Sequence, residues 1–338
     1  MRAVLIRSEE RFDAFYKKIR EYEVDVTTLD FDEQEWIDFD YGTVDFLIFY
    51  PSFVYSSNHP LALFKVYDNL IHIHRNYPDL LMYPEPGLLY FYNDKYRQFL
   101  FLKTHEYPIP ETIPLLSGAN VEHAEQRLGY PMVLKNRYGA GGGSVFRVHN
   151  RAELEMYYRI SQLDFIHTGT VKYFYNILKE RIFYYHLIKA RKMTYPLLSP
   201  PLLAQKFITT DRDLKTVVGN GKVVEGHWRF QASSDQWKVN IDGGGIGQWS
   251  KIPPEPIALS EKLARELNAS WINLDILVGE GRYYITEFSP VWHHYTYREK
   301  PSFVYKDDYN INPSLEISLN LERIIVESLI KAVKSKKP

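Results

Sequence analysis

Apolar positions along the chain fall into short continuous runs separated by stretches with helical periodicity. Residues 2–6 (RAVLI) and 44–49 (VDFLIF) are the kind of run found in strands buried on both faces. Between them Phe12, Phe15, Tyr16 and Ile19 recur at helical spacing. Strand, helix and strand in this order predict a small open α/β domain of parallel strands over residues 1–92. A second unit, residues 93–203, opens with a helix in DKYRQFLFLKTHEY and is broken by the prolines of YPIPET. GANVEHAEQRLGYP is its next helix, ended by Gly129 and Pro131. PMVLKNRYGAGGGSVFRV reads as two apolar strands around a glycine-rich loop, and residues 151–200 as largely helical and aromatic. In the third unit, residues 204–338, strands return in LLAQKFI (from residue 202), DLKTVVG and GKVVEGHWRF, with GNGK as a tight hairpin turn. Ser260 is expected to cap the helix EKLARELNA. WINLDILV and YYITEF are strands joined by GEGR, and an amphipathic helix runs through LEISLNLERIIVESLIKAV.

Composition narrows the class of function. The 41 Lys and Arg nearly cancel the 42 Asp and Glu, so no global field points to nucleic acid or an anionic membrane. Cysteine is absent, which excludes disulfides, thiolate metal sites and cysteine nucleophiles and fits a reducing, cytoplasmic setting. The N-terminal apolar run of about four residues is too short for a signal peptide, which needs roughly 7–15, and no stretch approaches a membrane span. The 27 tyrosines leave two readings open, an amphipathic core or a wall facing substrate.

The chemistry gathers at three places. Gly139, Gly141, Gly142 and Gly143 precede Ser144 in a loop between two strands. The loop lacks the Lys-Ser/Thr close of a Walker A motif, and a strand rather than a helix follows it. Bare backbone amides on such a tip can fold over phosphate oxygens. Lys135 lies in the strand leading to the loop, where a buried ammonium needs an anionic partner, a bound phosphate or a salt bridge. Asp275 and Glu287 stand twelve residues apart on two strands of one hairpin. With equal parity they share a face only across an odd-numbered loop, and Gly279-Glu280-Gly281 is expected to supply a three-residue one. Two acids on one face call for a cation, and magnesium is the hard, oxygen-seeking choice. His293 and His294 are adjacent on an extended stretch and so point to opposite faces.

These strings together resemble the ATP-grasp superfamily. NDKYRQFLFLKTHEYPIPET is similar to the opening of its central domain, YPMVLKNRYGAGGGSVFRV to its lysine strand and glycine loop, LLAQKFI to its adenine hinge, and INLDILVGEGRYYITEFSP to its metal-binding hairpin. DLKTVVGNGKVVEGHWR followed by VNIDGGG is most similar to the RimK-like amino-acid ligases. The resemblance spans roughly residues 90–335 and implies an ATP-grasp fold with the nucleotide held between two antiparallel sheets. It implies that Lys95 and Lys135 contact ATP phosphates and that the loop Gly139–Ser144 closes over them. Gln205, Lys206, Phe207 and Ile208 would form the hinge that reads adenine, and Asp275 and Glu287 would hold one or two Mg2+ ions. Arg229 and Asn240 would face the transferred phosphate.

Two positions depart from the family pattern. Ser289 stands where an asparagine metal ligand is usual, and Lys215 where the RimK-like branch has an arginine, losing a bidentate grip. The implied activity is an ATP- and magnesium-dependent ligase that joins a small-molecule or peptide carboxylate to an amine through an acyl phosphate. Phosphotransfer to a hydroxyl, or nucleotide binding without turnover, are the alternatives.

Overall fold

The structure is a computed structural model that describes residues 1–8, 11–50, 60–139, 142–183, 196–233, 237–239, 245–248, 251–291, 304–305, 311–312 and 321–336. Three sheets organise it. Strands β1 (Arg2–Ile6), β2 (Asp25–Leu29), β3 (Phe46–Ile48) and β4 (Leu81–Tyr83) form a parallel sheet in the order β2-β1-β3-β4. Parallel strands need covered faces, and helix α1 (Phe12–Glu21) buries Phe15 and Ile19 against this sheet. Helix α2 (Pro60–Asn76) joins the same core through Val66, Leu70 and Ile73.

The second sheet is antiparallel and has the order β5-β8-β6-β7, from β5 (Thr112–Leu115), β6 (Met132–Lys135), β7 (Val145–Val148) and β8 (Leu202–Lys206). Helix α3 (Lys95–Thr104) leads into it. Helix α4 (Gly118–Leu128) packs on it and ends at Gly129, whose φ of 66° suits glycine. The aromatic stretch after β7 resolves into α5 (Arg151–Ser161) and α6 (Thr168–Phe183), which complete this core with Leu154, Ile160, Tyr173 and Ile177.

The third sheet has seven strands: β9 (Arg212–Gly219), β10 (Lys222–Phe230), β11 (Ile246–Gln248), β12 (Trp271–Gly279), β13 (Arg282–Ser289), β14 (Val304–Tyr305) and β15 (Ile311–Asn312). Its long path runs β13-β12-β9-β10-β14-β15, every pair antiparallel, with β11 against β10. One face packs under helix α7 (Pro254–Glu266) through Leu214, Ile257, Leu263, Ile272 and Leu274. The other carries charged residues. The last helix, α8 (Leu321–Lys336), returns to the N-terminal parallel sheet and buries Leu321, Ile325, Val326, Leu329, Ile330 and Val333 in its core. Among the described residues no helix is long and apolar enough to cross a membrane.

Two expectations are corrected, and residues 315–320 of the expected last helix lie outside the described residues. The helix assigned to a Ser260 cap begins at Pro254, where proline's fixed φ suits the first turn. Ser260 lies buried in its interior, donating back to Pro256 O at 2.7 Å and meeting Thr216 Oγ1 at 2.8 Å. The hairpin loop of β12–β13 has two residues, Glu280 and Gly281, because Gly279 pairs with Arg282. The last helix is described from Leu321 onward.

Candidate active site

The hairpin β12–β13 shows how backbone geometry sets the chemistry. Glu280 and Gly281 both have positive φ (53° and 71°), which matches the twist of a two-residue hairpin turn. An even loop alone would put Thr286 opposite Asp275 and turn Glu287 to the far face. A β-bulge supplies the missing residue: Ile276 pairs with Ile285, then Asp275 pairs with Glu287, leaving Thr286 as the extra position. Asp275 and Glu287 therefore stand directly across from each other. The hydroxyl of Thr286 donates to Asp275 O at 3.0 Å, which fixes the bulge.

Cations surround the two acids. Lys215 Nζ lies 2.7 Å from Asp275 Oδ1 and donates to Asn273 Oδ1 at 2.8 Å. Arg229 lies 3.3 Å from Asp275 Oδ1 and makes a two-pronged pair with Asp213 at 2.7 and 2.6 Å. Burial alone would raise the Asp275 carboxyl, but Arg229 and Lys215 outweigh it and hold its pKa well below the usual carboxylate range. On the other side, Lys95 Nζ is 3.5 Å from Glu287 Oε1 and also donates to Gly139 O. Burial drives the Lys135 ammonium down to about 8, with Glu287 and Asp275 opposing and Lys95 reinforcing the shift.

The local sequence explains these positions. Asp94 caps α3, accepting from the amides of Tyr96 and Arg97 at 3.1 Å each, so Lys95 is the first helical residue. The amide of Lys95 donates to Arg137 O at 3.0 Å, and Arg137 pairs with Asp94 at 2.7 Å, tying α3 to the strand that carries Lys135. Gln98, three residues on from Lys95, donates to Phe288 O at 3.0 Å and accepts from Phe288 N at 3.2 Å. That clasp fixes the residue next to Glu287.

The glycine loop sits between these groups. Gly139 has φ 127° and Gly142 φ 72°, and a Cβ on Gly139 would come within 2.3 Å of Ser144 Oγ. Ser144 is buried and its hydroxyl has no hydrogen-bond partner among the described residues. Gly143 has open space around it. Lys238 crosses from the far side to donate to Gly142 O at 2.7 Å, and burial lowers its pKa. A small cleft of about 20 Å³ is walled by Lys95, Lys135, Leu203, Gln205, Ile285 and Thr286.

Of the hinge segment, Gln205 lines the same cleft. Gln205 is buried and donates to Thr112 Oγ1 at 2.9 Å; the Lys206 amide is committed to Glu111 O at 2.8 Å and its ammonium to Glu280 at 3.0 Å. The Phe207 ring carries the Arg147 guanidinium 4.5 Å above it, and Ile208 is buried against Gly279. Ser289 Oγ donates to Val291 O at 2.7 Å and accepts from Val291 N at 3.1 Å, so this hydroxyl serves its own chain end. Gly141, Asn240, His293 and His294 lie outside the described residues. Among the described residues no three His, Asp or Glu side chains converge as a metal cluster. Gln98, Asn273 and Lys238 are site residues that periodicity does not reveal, since each is defined by a contact far away in sequence.

No protein-family profile matches the sequence, and no curated protein matches it either. Solved structures do. D-cycloserine synthetase DcsG superposes with a TM-score of 0.58 at 12% identity, covering 97% of this chain and 100% of that one. The ATP-grasp ligase PsnB, complexed with a phosphomimetic variant of its minimal precursor, Mg and ADP, also gives 0.58 at 12% identity, with 98% of each chain covered. D-alanine–D-alanine ligase from Bacillus anthracis, complexed with ATP, gives 0.56 at 14% identity over 99% of each chain. The chain has the ATP-grasp fold.

Proposed function

We propose that the protein is an ATP- and magnesium-dependent ligase that joins a carboxylate to an amine. One arrangement carries this reading: Lys95 and Lys135 from the lysine layer face Asp275 and Glu287, which stand directly opposite each other on the seven-stranded sheet. Charges of both signs meeting across a cleft suit a polyanion and its counter-ion.

The residues present fit the nucleotide. The buried, unpartnered Ser144 hydroxyl and the close approach that only glycine allows at residue 139 make a cradle for phosphate oxygens. They also fit magnesium in kind, because the carboxylates of Asp275 and Glu287 stand directly opposite each other and supply hard oxygen donors. Asp275 and Glu287 would hold the ion, with Ser289 behind them. When bound, magnesium neutralises phosphate charge and polarises the group being transferred.

The chain's own groups would act by holding and orienting. Lys95, Lys135 and the amides of Gly139–Ser144 would grip the phosphates, with Lys238 closing the loop from the far side. Gln205 to Ile208 would border the base. Arg229 and Lys215, with Asn240, would meet the charge that develops on the transferred phosphate. A carboxylate oxygen takes the terminal phosphate as ADP leaves; an amine then attacks the acyl carbon, loses its proton and expels phosphate. No protein nucleophile is required, so the rate comes from positioning and charge. The ligases among the structural neighbours support a small-molecule or peptide substrate pair, and the PsnB complex supports magnesium at this fold. The cytoplasm, where ATP is plentiful, is the expected setting.

The test is incubation with ATP, magnesium and panels of acids and amines, following ADP and product mass together. The ligase reading expects ADP and amide in equal amounts. A phosphorylated hydroxyl compound with no amide would replace it with phosphotransfer.

A further inference from the structure

Helix α6 is apolar on two opposite faces. Its inward face buries Tyr173 and Ile177, and the Tyr173 hydroxyl donates to Pro196 O at 2.8 Å. Roughly half a turn round, Val171, Tyr175, Leu178 and Ile182 are 51%, 63%, 56% and 60% exposed. Their spacing of four, three and four residues is that of a coiled-coil seam. Phe165 and Ile166, 53% and 97% exposed, extend the patch just before the helix. Half of the large apolar side chains that the described residues leave exposed fall within residues 163–183. A protein surface ordinarily scatters such residues singly, so a patch gathered along one helix face marks a surface that is covered.

Charge says what covers it. Lys172 and Lys179 are exposed, seven residues apart, and flank the seam at equivalent heptad positions. Neither has a carboxylate partner among the described residues, and the nearby Glu180 is buried on the inward face. Pairing with a second copy in antiparallel fashion would set Lys172 against the partner's Lys179, a like-charge contact that opposes self-association. An acidic flank on the partner would instead satisfy both lysines.

We propose that this face of α6 is a docking site for an amphipathic helix of another polypeptide, apolar along its seam and acidic beside it. The face includes none of the residues that line the cleft, and the proposal does not depend on the ligase reading.

Two synthetic helices of about three heptads with the same leucine seam, one flanked by glutamates and one by lysines, test this by fluorescence anisotropy. The glutamate-flanked helix should bind at least about tenfold more tightly than the lysine-flanked one. Leu178→Ser and Tyr175→Ser should each weaken it by about tenfold or more while melting temperature and ATP binding stay unchanged. The double variant Lys172→Glu, Lys179→Glu should reverse the preference, which general stickiness cannot do. Equal binding of the two helices overturns the proposal. So does no binding, whether the seam is met by residues 184–195 of the same chain or by nothing. A dimer in sedimentation that Leu178→Ser dissociates also overturns it, because the occupant is then a second copy.

Discussion

Lys135 is a cation kept in a place that disfavours its charge. Burial lowers its pKa to about 8, although Glu287 and Asp275 resist. In the unfolded chain a lysine titrates near 10.4, so between about pH 8 and 10 the unfolded state holds the extra proton. Stability from this group is therefore lowest below pH 8 and rises with pH through that window. Phosphate affinity must run the other way, because the neutral amine loses its charge-assisted hydrogen bond. Calorimetric titration from about pH 7 to 9.5 should show ATP affinity falling above pH 8, with Lys135→Arg flattening the profile because guanidinium stays charged. Lys135→Ala should weaken binding by about 1.5–3 kcal/mol at pH 7. A wild-type profile without the fall would remove Lys135 from the phosphate site. Asp275 is the opposite case, a carboxylate held ionised by Arg229 and Lys215 despite burial. Its stabilising contribution should persist until pH drops below the usual carboxylate range. Asp275→Asn should abolish magnesium-dependent turnover, while ATP binding measured in a chelator survives or strengthens as a repelling charge is lost.

The β12–β13 hairpin shows what a sequence can and cannot tell at the scale of an element. That Asp275 and Glu287 lie on neighbouring strands follows from two apolar runs joined by GEGR. The loop length does not, because a glycine required by a turn and a glycine required by a distant neighbour look alike. Gly279 is the last strand residue, and a Cβ there would meet Ile208 Cγ2 at 2.3 Å and Thr209 O at 3.1 Å. The bulge at Thr286 is equally silent in sequence. Ser260 misleads for a related reason: a serine before EK resembles a cap, yet Pro253 and Pro254 start the helix a turn and a half earlier and Ser260 satisfies itself inside. The glycine loop and Lys135 stand out because backbone freedom and a lysine inside an apolar strand are local signals, whereas Lys95 enters only through the family resemblance; the Gln98 clasp on Phe288 and the Lys238 reach to Gly142 span 190 and 96 residues and leave no local signal. Gly279→Ala should cost about 1–3 kcal/mol in urea unfolding, the scale of overpacking. Adding Ile208→Ala should return part of that loss, a coupling expected only of residues in contact. Additive effects of the two changes would mean that the close approach is not what requires glycine.

For the whole molecule, the decisive packing joins the two ends of the chain. Helix α8 is the last element in sequence, yet its apolar face fills the core of the first sheet. Polar contacts repeat the connection: Arg11 pairs with Glu322 at the start of α8, and the Tyr22 hydroxyl donates to Glu327 at 2.6 Å. The chain leaving the β12–β13 hairpin is held to the same sheet by Tyr83, which donates to Pro290 O at 2.9 Å, while Asn273 of β12 donates to Val291 O at 3.2 Å. The parallel sheet thus depends on residues about 240 positions beyond its last strand, and the site hairpin leans on that sheet. Six buried apolar side chains at about 1.5–3 kcal/mol each amount to about 9–18 kcal/mol as an upper bound, comparable with the roughly 5–15 kcal/mol that separates a folded domain from its unfolded state. A chain ending at residue 320 should therefore lose the N-terminal sheet. Limited proteolysis should cut first within residues 1–83, and circular dichroism should show an early melting step absent from the full chain. Glu322→Gln should be milder, because it leaves Arg11 half-paired over the Tyr50 ring without opening the core. If the shortened chain keeps a protease-resistant N-terminal region and its original melting temperature, α8 is an accessory cover and the two ends fold independently. If the early step appears and ATP affinity falls with it, the hairpin's anchorage through Tyr83 is the route by which the first sheet supports the site.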